Sequence, residues 1–178
     1  QAEDGIRDFC LSRGLGDVYK RQVLLPLVRS QVDVPIIAAG GFIDGATMAA
    51  AFALGAEAVQ MVTRMVSSLE SPVHDNWKNS IVDAAETDTV FLNRAHSPAL
   101  RALRTEKTSR LEFETETNAM TEFGTALDLY FGGDMEASIA LTGQVCGRID
   151  SVRPVAEILA EVRHEFFQVI GELSEQYR

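Results

Sequence analysis

Apolar positions along this chain follow two regimes, with the change near Arg64. Before it, short apolar runs alternate with glycine-marked loops. Residues 34–39, "VPIIAA", are β-branched and lack a polar face, which predicts a strand buried on both sides. Gly40 and Gly41 end it. Asp44 then stands where an N-cap belongs, "GATMAAAFALG" predicts an alanine-rich helix, and Gly55 takes the place of a left-handed C-cap. "AEAVQMV" predicts a second short buried strand. Upstream, "VLLPLVRS" (23–30) reads as the tail of a helix, with Pro26 tolerated near its start. This order of helix, strand, loop, helix and strand is the α/β repeat of a parallel sheet with right-handed crossovers.

Beyond Arg64 the alternation stops. "SSLESPVHDNWKNSIVDA" predicts a loop entering an amphipathic helix, with Val73, Trp77 and Ile81 on one face. "DTVFLN" reads as an isolated strand, and "SPALRALRTEKTSRLEFETE" as a polar helix leading into an acidic segment. "EFGTALDLYFGGDMEASIALTGQVCG" predicts two short helices joined at Gly132 and Gly133. The closing stretch predicts a long amphipathic helix whose Val155, Ile158, Leu159, Val162, Phe166, Val169, Ile170 and Leu173 form one wide apolar face. That face needs a partner surface.

Composition narrows the function classes. With 178 residues, 46% of them hydrophobic, the chain can bury one core, and a net charge of -10 argues against nucleic acid or an anionic membrane as partner. No apolar run approaches the roughly 20 residues that span a bilayer, and the expected compartment is the cytoplasm. Cys10 and Cys146 have no metal-like spacing with the histidines, so no metal site is expected.

Candidate chemistry sits at the paired glycines. A backbone that approaches a phosphate cannot carry a β-carbon in the way, and helix N-terminal amides carry partial positive charge, so strand, Gly-Gly and helix make an anion cradle. A tight βα turn without a ligand is the alternative. "VQMVTR" places Gln60, Met61, Val62 and Thr63 at the C-terminal end of the next strand, where barrel enzymes keep ligand sites.

These residues resemble a known family. "PIIAAGGFIDGATMAAAFALGAEAVQMVTRM…ESPVH" is similar to the last two barrel units of the FMN-dependent nitronate monooxygenases, a pattern shared with flavin-dependent enoyl-acyl-carrier-protein reductases. "GGDMEASIALTGQVCGRIDSVRPVAEILAEV" resembles the family's Gly-Gln segment and closing helix. The resemblance covers residues from Val23 to the C-terminus. It implies an α/β fold: strands 7 and 8 of a (β/α)8 TIM barrel over 23–66, a small, mainly helical substrate domain over 67–150, and a closing helix over 151–178.

The resemblance further implies FMN, its phosphate held by backbone amides of Gly40, Gly41, Gln60, Met61, Val62 and Thr63. At Val62 the family usually has glycine, so its side chain either points away from the phosphate or weakens binding. The implied reaction is oxidation of alkyl nitronates by dioxygen to a carbonyl compound and nitrite. An enoyl-acyl-carrier-protein reductase using NAD(P)H, a non-catalytic FMN or phosphate module, and a purely structural helical domain are the alternatives. The family's catalytic histidine lies in an Ala-Gly-Gly-His-like loop that is absent, and no catalytic role passes to His74, His96 or His164, which read as surface or capping residues. The expected partner is a small-molecule substrate, with a homodimer as the expected assembly.

Other candidates have plainer readings. Arg64 reads as a phosphate neutraliser or a rim salt bridge; Asp88, Asn93 and Arg94 as loop residues; Trp77 as core; and Glu112, Glu114 and Glu116 as a solvated segment.

Residues 1–22 read differently. Gln1–Asp8 and Ser12–Gln22 match, codon for codon, the translation of common short-read sequencing adapters, which sets the segment aside as an artefact expected to be disordered. A natural extension is the alternative. Setting it aside leaves the net charge unchanged and Cys146 alone, as fits a reducing compartment.

Overall fold

The computed structural model describes residues 17–178, the first four by backbone alone. Helix α1 (Asp17–Arg29) leads to strand β1 (Ile37–Ala39), helix α2 (Gly45–Ala53) and strand β2 (Ala58–Gln60). The strands pair in parallel, in the register Ile37↔Ala58, Ala38↔Val59 and Ala39↔Gln60, so α2 is the crossover of one βαβ unit.

Local chemistry explains each boundary. Asp44 caps α2 by accepting from the Thr47 amide at 2.7 Å, and Thr47 Oγ1 in turn accepts from the Asp44 amide at 3.4 Å, a reciprocal capping box. Gly55 has φ +101°, the left-handed turn that stops the helix. Both features follow the sequence reading.

Two expectations are corrected here. Helix α1 begins at Asp17, inside the segment expected to be disordered, so Pro26 lies well within it. The rest of the adapter-like segment, with Cys10, lies outside the described residues. The strand predicted to be buried on both faces is covered on one only: Ala38 is 3% exposed, but Ile37 is 66% exposed. Leu25, Ile36, Ala38, Phe42, Ala51 and Ala56 pack together on the helix side, whereas no described element covers the other.

After β2 come a short helix α3 (Thr63–Val66) and α4 (Asp75–Val82), which buries Trp77 and Ile81 with the preceding Val73, as the spacing predicts. The strand read as isolated is β3 (Thr89–Leu92), paired antiparallel with β4 (Leu100–Leu103). The sequence pattern predicts helix over the residues of β4, but their Leu-Arg-Ala-Leu order serves a ladder, and helix α5 (Glu106–Phe113) starts only at the capping box of Thr105 and Thr108. Of the two helices predicted around Gly132 and Gly133, one forms, α6 (Ala126–Tyr130); the other is a 3-10 turn over Gln144–Arg148. The segment expected to be mainly helical thus also contains a hairpin.

Helix α7 (Val155–Gln176) returns along α2. Ile158, Val162 and Phe166 are buried, and Phe166 meets the Phe52 ring edge-on at 5.1 Å. Leu159, Ile170 and Leu173 of the predicted apolar face remain exposed, so only part of that face finds a partner. The helices touch at Gly45, where a β-carbon would strike the α7 backbone at Val162 and Phe166. Gly45→Ala is therefore expected to destabilise the chain by about 1–3 kcal/mol, seen as a lower urea midpoint at unchanged m-value.

Candidate functional site

Because Ala39 and Gln60 are ladder partners, the segments that follow them leave the sheet side by side at the C-terminal ends of parallel strands, about 4.8 Å apart. The first is Gly40–Gly41, with φ of +88° and +82°. These angles lie in the left-handed region, where side chains other than glycine cost roughly 1–2 kcal/mol each. The second runs from Met61 to Thr63. Val62, at φ -112° and ψ -65°, carries no positive-φ strain, and it is 57% exposed.

A third segment crosses both. The Gly143 amide donates to Thr63 Oγ1 at 3.1 Å, and Arg148 Nη2 pairs with Asp44 just past the glycines. The turn Gln144–Arg148 between these ties spans the two loops. Val145 lies against Gly41, and Trp77 Nε1 donates to Thr142 Oγ1 at 3.4 Å, fixing the chain just before the turn.

A cavity of about 470 Å³ opens on this arrangement. Gly40, Gly41, Gln144 and Arg148 line it, with an apolar wall from α1 and α2. Arg21 lines it as well and donates from Nε to the Ala39 carbonyl at 3.0 Å. Of the residues expected to bind phosphate, Gly40 and Gly41 border this cavity, while Gln60, Met61, Val62 and Thr63 stand at the neighbouring strand end outside its lining. Sequence reasoning missed Gln144 and Arg148 as site residues. The Thr-Gly-Gln run was visible, but its contact with Thr63 spans 80 positions and no local pattern encodes it.

Two amides of the first turn of α2 are already engaged by carboxylates. Glu165 Oε2 accepts from the Gly45 amide at 2.8 Å, and Asp44 holds that of Thr47. Any anion at this end of the sheet must therefore use the glycine amides and those after β2, rather than the first turn of α2.

The remaining candidates fall to structural roles. Arg64, 6% exposed, donates from Nη1 to Ser151 O at 2.9 Å and to Ser67 Oγ at 3.3 Å. Burial, and then Arg153 nearby, lower its pKa. His74 caps α4, its Nδ1 accepting from the Asn76 amide at 3.1 Å; His96 bonds the Thr115 carbonyl and His164 is exposed on α7. Asp88 closes a turn at the Ala85 amide, and buried Asn93, at φ +65°, holds Pro98 and Ala119. The acidic run is not simply solvated: Glu112 pairs with Arg94 and Arg104, and Glu114 with Arg110.

Cys146 is the free cysteine among the described residues; it is fully buried, and that burial raises its pKa. It is expected to resist iodoacetamide at pH 8 in the folded chain and to react quickly in urea, as mass spectrometry would record. Among the described residues no group of three or more His, Cys, Asp and Glu gathers as metal ligands, and no helix is long and apolar enough to cross a membrane.

Comparison with known proteins places this geometry. A dehydrogenase of Rhodococcus jostii acting on a hydroxy-methyl-oxo-octahydroindene carboxyl-CoA is 40% identical over 90 residues, 51% of this chain and 26% of that protein. A probable nitronate monooxygenase of Staphylococcus saprophyticus is 39% identical over 83 residues, 47% of this chain and 23% of the relative. Among solved structures, FabK from Thermotoga maritima superposes with a TM-score of 0.81 at 39% identity, covering 88% of this chain and 51% of that one. Nitroalkane oxidase from Streptomyces ansochromogenes shares the fold, with a TM-score of 0.68 at 22% identity over 91% of this chain and 48% of that one. The chain thus spans about a quarter of the curated relatives it matches and about half of the solved structures. The family model for nitronate monooxygenase matches residues 12–165, reaching back into the adapter-like segment, and the chain belongs to the nitronate monooxygenase family.

Proposed function

We propose that this chain supplies strands 7 and 8 of a (β/α)8 barrel holding FMN, and that the enzyme built on it oxidises alkyl nitronates with dioxygen to a carbonyl compound and nitrite. The observation that carries the reading is the Ala39↔Gln60 register, which starts Gly40–Gly41 and Met61–Thr63 at one level of one sheet edge. FMN, when bound, supplies the redox chemistry of the reaction. The chain's own residues supply binding and orientation.

The residues present fit a phosphate. Two glycines at positive φ bring no β-carbon to the loop, the Arg21 guanidinium lies against Gly40, and Val62 turns an unstrained side chain to solvent while leaving its amide in the loop. Gly40, Gly41, Gln60, Met61, Val62 and Thr63 would hold the phosphate through backbone amides. Gln144, on the turn pinned to Thr63, stands beside them.

No histidine of this chain is placed to act as base, since His74 and His96 are engaged at structural positions and His164 lies outward on α7. The chain by itself is therefore proposed to bind flavin without turning over, its substrate being a small molecule and its compartment the cytoplasm. A second reading, an enoyl-acyl-carrier-protein reductase drawing on NAD(P)H, gains from the likeness to FabK. The third, a binding module without chemistry, gains from the engaged histidines.

The test recovers the source gene across the codons for Gln22 and Val23 and assays the protein that the recovered reading frame encodes. FMN-dependent nitrite release from a nitronate supports the main reading. NAD(P)H oxidation driven by a crotonyl thioester supports the second, and flavin binding without either activity supports the third.

A further inference from the structure

We infer that Arg148 is the cation that pairs with the phosphate at the Gly40–Gly41 loop, with Asp44 as the residue that positions it. The inference rests on the flavin reading and names a residue that reading does not contain. Arg148 ends the 3-10 turn whose first residue lines the same cavity, and the turn is held at both ends: Gly143 donates to Thr63 at 3.1 Å, and Arg148 itself pairs with Asp44. One short segment is thereby bolted across both candidate phosphate loops.

Charge points the same way. In a chain of net charge -10, the charged residues lining the 470 Å³ cavity are Arg21, Arg148 and Glu86. Asp44 and Glu86 balance the two arginines in number, and what sets this place apart on an acidic protein is two guanidinium groups at one loop, Arg21 against Gly40 and Arg148 beside Asp44, each offering N–H donors to an anion. The Arg148 side chain is 57% exposed, so it is reachable from solvent.

Donor arithmetic permits both contacts at once. A guanidinium carries five N–H donors in a rigid fork, and Arg148 uses Nη2 toward Asp44 Oδ2. Asp44 is itself fixed, because its Oδ1 caps Thr47 at 2.7 Å, so the fork is held from behind while its other donors remain for a phosphate oxygen. The ion pair need not break for the anion to bind.

The test compares FMN with riboflavin, which lacks the phosphate, by quenching of flavin fluorescence on the whole chain. The expected result for Arg148→Met, which keeps the apolar stem, is a loss of FMN affinity of about tenfold with riboflavin affinity unchanged and a shallower dependence on salt. Arg148→Lys should recover part of the loss. Circular dichroism melts should shift only slightly, since the lost Asp44 pair is half-exposed and the Gly143 tie to Thr63 remains. An unchanged preference for FMN in Arg148→Met overturns the proposal while leaving the glycine loop reading intact. If wild type binds neither flavin, or both equally, the phosphate reading itself fails and this inference with it.

Discussion

Ile37→Lys is expected to convert an associating chain into a monomer, visible in sedimentation velocity as loss of the faster species. The reason lies in the two-stranded sheet. Each of β1 and β2 has its partner on one side only among the described residues, leaving a row of backbone donors and acceptors at either edge. On the uncovered face of that sheet Ile37 is 66% exposed, and Val34 and Val62 in the flanking segments are 59% and 57% exposed. Open edges beside an apolar face form a template for a second chain, and homodimerisation is the assembly we propose for it. A lysine at 37 places charge on the bare face without touching Ala38, which packs on the helix side. A wild-type chain that stays monomeric at all concentrations would remove the premise.

Trp77→Ala is expected to cost about 3–5 kcal/mol, a large share of the roughly 5–15 kcal/mol that keeps an ordinary domain folded. Trp77 is 2% exposed and packs in a cluster with Ile43, Val73, Ile81, Leu103, Leu129, Ala140, Cys146 and Ile149. Those residues come from the loop after Gly41, from α4, β4 and α6, and from the turn that carries Arg148. Removing the indole also breaks its edge-on contact with Tyr130, at 5.0 Å, and its hydrogen bond to Thr142. One substitution therefore loosens the joint that sets the Gln144 turn against the glycine loop. Urea denaturation would read the loss, and Thr142→Val, which leaves the buried indole N–H and the Ala140 carbonyl without the Thr142 hydroxyl, should cost less, about 1–3 kcal/mol.

What could be read from the residues was what short spacing encodes. The cap at Asp44, the left-handed Gly55, the βα loop at Gly40–Gly41 and the buried face of Val73, Trp77 and Ile81 all depend on neighbours within a turn or two, and the structure has them. The misreadings share a cause. β4 was assigned to a helix because Leu100–Leu103 suits either state, and only its pairing with β3 decides. The exposed face of β1 could not be foreseen, because a run apolar on both sides is written for a sheet covered on both sides, and here only α1 and α2 supply cover. Gln144 and Arg148 escaped notice since their places depend on ties to Thr63 and Asp44, 80 and 104 positions away.

If Gly40 and Gly41 form the phosphate-binding loop we propose, FMN binding must depend on their bare backbone. The most direct test titrates the chain and its Gly41→Val variant with FMN, with folding monitored in parallel by circular dichroism. At φ +82° a valine is strained, and its bulk would stand between the Arg21 guanidinium and Val145. The account predicts saturable FMN binding by the native chain and loss of most of that affinity in a variant that still folds. Equal binding by the two, or no binding by the native chain, would contradict it.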